Sequence, residues 1–228
     1  MAIILNIETS TTVCSVSIAI NGKLAALKEV NDGYSHAEQL ELLIQSVVKE
    51  SGIKMNDLQA VSVSKGPGSY TGLRIGVSLA KGICYGAQIP LLSVPTLEAM
   101  AQHPILKEDN ESHLVPMLDA RRMEVYACVL SPNYQVFTPT SAVVIDENSF
   151  SSLLEHSKAV FFGPGMEKCK DVLTQHSNAN FKDDILPSSA YMAAISEEKF
   201  NASQFENTAY FEPFYLKDFV AGKPKKML

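Results

Sequence analysis

A glycine-rich loop between a strand and a helix is the feature that most constrains how this chain folds. Residues 60–64, Ala-Val-Ser-Val-Ser, contain β-branched valines and predict a strand. Gly66 and Gly68 follow it and allow a close backbone approach, while Ser69 or Thr71 can cap the helix that comes next. Free N–H groups at such a helix start suit an anion or a partner's backbone, although many loops of this kind are tight turns.

The first half of the chain predicts strand, strand, strand, helix, strand, helix, strand. Hydrophobic patterns place these elements at residues 3–7, 14–20, 23–30, 35–52, 60–64, 71–85 and 90–94. Asn21-Gly22 suits a type I′ turn in the hairpin between the second and third strands. Ser35-His36-Ala37-Glu38 fits a capping box at the start of the first helix, and Gly52 ends that helix.

A break in periodicity over residues 102–113, where charged residues gather, predicts a domain boundary. The elements predicted beyond it are strands at 114–119, 124–130, 136–139 and 159–162, an amphipathic helix that runs through Leu173, and a helix over 188–200. We therefore expect two domains, residues 1–105 and residues 112–228. The last segment can pack back on the first domain.

Composition is typical of a folded chain in a reducing compartment. With 228 residues, 46% of them hydrophobic, the chain can bury a good core without disulfides. The cysteines lie far apart with no C-x-x-C, which favours buried thiols over a zinc site: Cys14, Cys84, Cys128 and Cys169. We expect no signal sequence, no membrane span and a cytoplasmic location. The net charge of -6 argues against tight independent binding to RNA.

Six motifs, in order along nearly all of the chain, resemble those of the TsaB family. They are IILNIETS at 3–10, HAEQL at 36–40, the loop at 65–76, SVPTLEA at 93–99, LDARRMEVY at 118–126 and PFYL at 213–216. The resemblance implies an α/β, actin-like ATPase (ASKHA) fold with two α/β domains of mixed sheets flanked by helices. It also implies a role in the bacterial machinery that places threonylcarbamoyl on the adenosine next to the anticodon, in tRNAs reading codons that begin with A.

The resemblance also allows three phosphate-type loops to be compared with those of ATP-using relatives. There the first hairpin carries an acid, usually Asp, that orients a hydrated magnesium; here Glu8 stands in that place, and we favour a structural role for it. The second phosphate turn is glycine-rich in the catalytic paralogue TsaD. In this chain it carries Asp119 and Arg121, which we expect to pair with each other or across the cleft. The vestigial loops are thus assigned to Glu8, Thr9, Ser10, Gly66, Gly68, Ser69, Asp119 and Arg121.

Catalytic and metal sites are not expected in this chain. TsaD carries two histidines four residues apart on one helix face, and Thr96 and Met100 stand at the matching positions here. The glycine-rich loop lacks the lysine of a P-loop, and no G-x-S-x-G elbow is present. His36, at a helix start, is predicted to be a capping or surface residue. We expect no cofactor, no metal and no catalytic residue.

Small residues recur every four positions on the helix after the loop, at Gly72, Gly76, Ala80 and Cys84. Such a stripe lets another helix come close, or it packs on the chain's own sheet. The resemblance implies that this helix and the one before it form a bundle with two partner helices. We therefore expect the partner interface to comprise His36, Leu40, Leu43, Tyr70, Gly72, Leu73, Gly76 and Ala80.

The function implied by the resemblance is that of a non-catalytic scaffold and activator of TsaD. The ATPase TsaE would complete the complex, tRNA would be held only through the complex, and the chain alone would form a homodimer. Two alternatives stay open: an autonomous ATPase or small-molecule kinase of the same fold, and a free homodimer with a regulatory role.

The basic tail at Lys217, Lys223, Lys225 and Lys226 is predicted to be solvated, with contact to tRNA or an acidic partner as the alternative.

Overall fold

The computed structural model describes residues 2–33 and 36–217, and these residues form two five-stranded sheets flanked by helices. The strands are β1 (Ile3–Glu8), β2 (Cys14–Ile20), β3 (Lys23–Val30), β4 (Ala60–Gly66), β5 (Leu91–Pro95), β6 (His113–Asp119), β7 (Glu124–Leu130), β8 (Val136–Val144), β9 (Ala159–Phe162) and β10 (Ala179–Lys182). The α-helices are α1 (His36–Ser51), α2 (Tyr70–Ala87), α3 (Thr96–Met100), α4 (Ser151–Leu154), α5 (Lys170–Leu173) and α6 (Ala193–Asn201). Short 3-10 helices cover Met55–Asp57, Pro104–Glu108, Glu167–Cys169 and Ser189–Met192.

The first sheet has the strand order β3-β2-β1-β4-β5. Strands β1, β2 and β3 pair antiparallel, whereas β4 and β5 add in parallel on the other side of β1. Asn21 and Gly22 have φ values of 51° and 71°, as a type I′ turn requires at both central positions. The predicted hairpin is therefore confirmed. The parallel strands bring the ends of β1 and β4 to one edge, where the turn between β1 and β2 (residues 9–13), which we call the first hairpin turn, meets the glycine-rich loop.

Helices cover both faces of the first sheet, and β1 shows how its residues divide between them. Leu5 and Ile7 join the apolar cluster that includes the buried sides of α1 and α2. Asn6 faces the other way, where its Oδ1 is 2.7 Å from the hydroxyl of Ser196 in α6. The alternation expected of a strand thus buries both faces of β1. It also places α6, from late in the sequence, on the first sheet.

The second sheet has the order β10-β9-β6-β7-β8 and combines parallel and antiparallel pairs. Phe161 packs with α4 and α5 on one face, and Phe162 packs with Leu97 and Met100 of α3 on the other. Two mixed α/β sheets flanked by helices confirm the predicted architecture. The boundaries predicted at residues 105 and 112 fall between β5 and β6, and the division into two domains stays a prediction.

Several details of the prediction differ from the structure. Strand β10 and the short helices α3 and α4 were not predicted, β8 continues to Val144 rather than ending at 139, and the helix through Leu173 is a short 3-10 turn followed by one turn of α-helix. The proposed capping box rests on Ser35, and part of the basic tail is Lys223, Lys225 and Lys226; these positions lie outside the described residues.

The cysteines are buried and free, as predicted: Cys14, Cys84, Cys128 and Cys169. Burial raises the pKa of Cys14 and of Cys84 to about 11, so these thiols stay protonated and unreactive near neutral pH. Within residues 2–33 and 36–217, no helix combines the length and the apolar character needed to cross a bilayer.

Candidate functional site

The first hairpin turn and the glycine-rich loop lie directly against each other. The Ser69 N–H donates to the carbonyl oxygen of Ser10 at 2.6 Å. A Cβ atom placed on Gly68, where φ is 159°, would lie 2.6 Å from Ser10 Cβ. Only glycine fits there, because the neighbouring backbone fills the space a side chain would need. The close approach that glycine permits is therefore used by this chain's own turn.

The start of α2 is capped from within the chain. Ser69 is the N-cap residue, as predicted, and its Oγ accepts the Gly72 N–H at 3.2 Å. The Ser69 N–H is taken up by the first hairpin turn, as described above. Two donors that a phosphate group would use at a helix N-terminus are thus already bonded to protein.

Glu8 ends β1 with its carboxyl fully buried. Its Oε1 accepts the Ser10 N–H at 2.5 Å. Burial raises the pKa of Glu8, although hydrogen bonds from Ser10 and Ser64 act in the opposite direction. A carboxyl that points inward and whose neutral form is favoured is poorly placed to orient a hydrated magnesium. The geometry supports the structural interpretation of Glu8.

Thr9 joins the first hairpin turn to α2. Its hydroxyl donates to the Gly72 carbonyl at 2.8 Å. A Cβ on Gly72 would overlap the Thr9 carbonyl oxygen, and a Cβ on Gly76 would overlap Thr9 Oγ1 while lying 3.4 Å from Thr9 Cβ. His36 approaches the same turn, since its Nε2 is 2.7 Å from the Thr11 carbonyl oxygen. The small residues of α2 are needed because this chain's own turn packs on them.

This packing contradicts the expectation that the small-residue stripe is a surface free for a partner. Seven of the eight predicted interface residues are buried within the chain itself: His36, Leu40, Leu43, Gly72, Leu73, Gly76 and Ala80. Tyr70 is the eighth and is half-buried. His36 is likewise neither a surface residue nor a side-chain cap. The spacing of small residues was read correctly, but it serves the interior of this chain.

The second phosphate-type turn is filled by charged side chains. Asp119 forms an ion pair with Lys168 and accepts the Arg121 N–H at 2.9 Å. Although burial acts against it, these contacts lower the pKa of Asp119, so the carboxylate stays charged. Asp119 and Arg121 do interact, through the Arg121 N–H and a favourable charge effect, but the ion pair of Asp119 is made with Lys168 from the segment after β9. Lys168 also donates to the Glu124 carbonyl at 2.7 Å, which ties the turn to β7.

Metal-binding residues do not come together in the described ranges, 2–33 and 36–217, where no group of three His, Cys, Asp or Glu side chains could hold an ion. Thr96 and Met100, which stand where TsaD has its histidines, are fully buried. Their side chains complete the packing around α3.

The outer sides of α1 and α2 enclose an apolar groove of about 490 Å³ that the sequence analysis missed. Its lining comprises Glu41, Ile44, Gln45, Val48, Lys49, Met55, Leu79 and Ile83. Met55 is 40% exposed at one side, and Leu42 of α1, 58% exposed, adds a further apolar side chain to the helix surface. The repeat of Ile75, Leu79 and Ile83 every four residues was the available signal, because it marks a second apolar stripe on α2.

A C-terminal strap, residues 206–217, crosses α2 and closes over the glycine-rich loop. The Phe214 N–H donates to the Lys65 carbonyl at 2.7 Å, and a Cβ on Gly66 would lie 2.9 Å from the Phe214 oxygen. Lys81 of α2 donates to two strap carbonyls, at 3.1 and 3.0 Å. Lys217 ends the strap in an ion pair with Glu124. The PFYL motif thus belongs to a segment that covers the loop.

Comparison with known proteins is consistent across sequence and structure. Residues 33–218 match the family model described as TsaD, tRNA N6-adenosine threonylcarbamoyltransferase. The chain is 30% identical to the tRNA threonylcarbamoyladenosine biosynthesis protein TsaB of Escherichia coli K12, with 96% of each chain covered. It is 26% identical to the Haemophilus influenzae protein of the same name, covering 96% of this chain and 95% of that one. The structure of YeaZ from Pseudomonas aeruginosa matches with a TM-score of 0.80, at 22% identity, over 95% of this chain and 100% of that chain.

Proposed function

The chain belongs to the TsaB family of tRNA threonylcarbamoyladenosine biosynthesis proteins and has the actin-like ATPase fold, and from this premise we propose that it is a non-catalytic scaffold and activator of a TsaD paralogue. TsaD would transfer the threonylcarbamoyl group to the adenosine next to the tRNA anticodon. TsaE would complete the complex in the cytoplasm, and tRNA would be held through the complex.

One observation carries the non-catalytic part of this proposal: the first hairpin turn occupies the glycine-rich loop. A nucleotide phosphate needs free backbone N–H groups and open space at a helix start. Here the Ser69 N–H is bonded to Ser10, and Gly68 has Ser10 against it. Opening the site would break these contacts and separate Thr9 from Gly72. The rival hypothesis of an autonomous ATPase or kinase requires that rearrangement.

We propose that the partner binds the outer sides of α1 and α2 rather than the buried small-residue stripe of α2. The groove there is apolar, and a partner helix could fill it with side chains at helical spacing. The charged and polar residues that line it, such as Glu41 and Lys49, could then bond to the partner's polar groups. When the paralogue is absent, a second copy of the chain would use the same surface, which explains the expected homodimer.

Exposed apolar side chains of this surface provide the test. Met55→Asp and Leu42→Asp place charges on the proposed interface at positions that are already solvent-exposed. We expect normal melting temperatures but at least about a tenfold loss of affinity for TsaD, measured by calorimetry, because a buried unpaired charge is strongly unfavourable. Leu24→Asp is the matched control, since Leu24 is an exposed leucine on β3. Unchanged TsaD binding by both the Met55 and the Leu42 variant would remove this surface from the proposal.

A further inference from the structure

The side of α2 turned away from the apolar groove carries a different set of residues. Tyr70, Arg74, Lys81 and Tyr85 share one flank of the helix, because their spacings of four and seven residues return to the same side. Leu79 and Ile83 lie on the other side, in the groove. The strap runs beside the first flank and adds Tyr210 and Tyr215. We call this set the tyrosine face: Tyr70, Arg74, Lys81, Tyr85, Tyr210 and Tyr215.

At one end of the tyrosine face, an arginine is stacked with two aromatic rings. The Arg74 guanidinium carbon is 4.1 Å from the centroid of the Tyr70 ring and 5.9 Å from that of Tyr215. Its Nε donates to the Tyr215 hydroxyl at 3.1 Å, and the two rings are 5.0 Å apart. The contacts hold the guanidinium plane and the rings in place before any ligand arrives. A cleft of about 250 Å³ between α2 and the strap opens beside Arg74 and Lys81.

At the other end, two tyrosine rings project into solvent. Tyr85 is 85% exposed and Tyr210 is 83% exposed. Lys81 holds the strap backbone around Tyr210, because its ammonium group donates to the carbonyl oxygens of Ala209 and Phe211 on either side of that residue. Tyr85 follows Lys81 by one helical turn. These rings therefore present open faces on a backbone that is held rigid.

The charge of the segments that build the tyrosine face is opposite to that of the chain. Helix α2 (70–87) and the strap (206–217) together contain three Lys or Arg and two Asp or Glu, whereas the whole chain contains 19 and 25. Helix α2 has no acidic residue. This face of an acidic protein thus carries a small excess of cations beside its exposed tyrosines, which favours a polyanion over a cationic ligand.

We propose that the tyrosine face binds single-stranded RNA of the tRNA substrate, by stacking bases on its rings and pairing phosphates with its cations. Unpaired nucleotides bind where planar rings and guanidinium groups lie beside positive charge. Each base can stack on a ring, and each phosphate linkage carries a negative charge. The inference rests on the proposed function, because it takes tRNA as the ligand, and it assigns one surface of this subunit to the substrate.

The test uses the complex of the full chain with TsaD and a fluorescent, unmodified transcript of a tRNA that reads codons beginning with A. Tyr85→Ser combined with Tyr210→Ser should weaken RNA binding by about fivefold or more, the loss expected when stacked bases are released. Phe137→Ser is the matched control and should leave binding unchanged, because Phe137 is an aromatic residue 63% exposed on β8 of the other sheet. Arg74→Gln should reduce the slope of log affinity against log salt by about 0.7, whereas Arg74→Lys should keep the slope.

Several outcomes separate this inference from the proposed function. Weaker RNA binding with unchanged melting and unchanged TsaD binding supports the tyrosine face as an RNA surface. Unchanged RNA binding overturns it and leaves the scaffold proposal standing, and loss of TsaD binding overturns it by making the face a protein interface. If the wild-type chain does not bind TsaD, the proposed function fails. In that case, binding of the chain alone to a labelled ribo-oligonucleotide of about 15 nucleotides is measured at low salt with the same variants. Weaker binding by the tyrosine variants supports the tyrosine face, and unchanged binding overturns it.

Discussion

Replacing Gly76 by alanine tests whether the small-residue stripe belongs to the interior of this chain. The new Cβ would overlap Thr9 Oγ1 and lie 3.4 Å from Thr9 Cβ and Cγ2. To make room, the Thr9 hydroxyl must leave the Gly72 carbonyl, which it now bonds at 2.8 Å. Overpacking of this kind costs about 1–3 kcal/mol and the lost hydrogen bond about 1 kcal/mol more. The alanine gains about 1 kcal/mol of helix propensity.

The balance predicts that Gly76→Ala destabilises the chain by about 1–3 kcal/mol. Gly82→Ala is the matched control on the same helix, because a Cβ there meets nothing within 4 Å. Gly82→Ala should gain the propensity alone and stabilise by about 1 kcal/mol. Thermal unfolding should therefore show opposite signs, with roughly 2–4 °C for each kcal/mol in a chain of this size. Equal stabilisation by the two alanines would refute the packing of Thr9 on α2.

Three further predictions concern Glu8, catalysis and the tail. Burial raises the pKa of Glu8, so the stability that its neutral carboxyl contributes is fully present below pH 4.5 and is lost as the pH rises through the folded-state pKa. Over that rise, the wild type should lose stability relative to Glu8→Gln. A difference between their urea midpoints that does not change with pH would contradict this. The purified chain should show no steady magnesium-dependent ATP turnover, and turnover abolished by Glu8→Ala would disprove the non-catalytic role. Truncation after Gly222 should leave melting unchanged, because it keeps every strap contact that the structure describes, including the ion pair of Lys217 with Glu124; unfolding would show that the tail is docked.

The features that could be predicted from the sequence are those that depend on residues close together in the chain. Asn21-Gly22 specifies its turn, and Ser69 specifies a helix cap, because each effect depends on neighbouring residues. Strand β10 escaped prediction because Ala-Asn-Phe-Lys has no β-branched residue and alternates over only four positions, and its pairing with β9 is what makes it a strand. The family motifs supplied the fold that local patterns alone left open.

The candidate site depended on contacts between distant parts of the chain. The spacing of Gly72 and Gly76 revealed a close approach but could not show that the approaching group is Thr9, 63 positions before Gly72. Lys168 was missed as the partner of Asp119 for the same reason, since 49 positions separate them. The exposed groove on α1 and α2 also became evident only when the buried faces of both helices were known.

The role proposed for this chain is to activate TsaD without performing chemistry itself. Its most direct test measures threonylcarbamoyl incorporation into unmodified tRNA by TsaD and TsaE, with the threonylcarbamoyl adenylate supplied, in the presence and absence of the chain. We predict that incorporation requires the chain, and that Glu8→Gln, which keeps the buried hydrogen-bonding shape without the carboxylate, supports it as well as the wild type. Incorporation by TsaD and TsaE alone at the same rate, or by the chain without TsaD, would contradict the account.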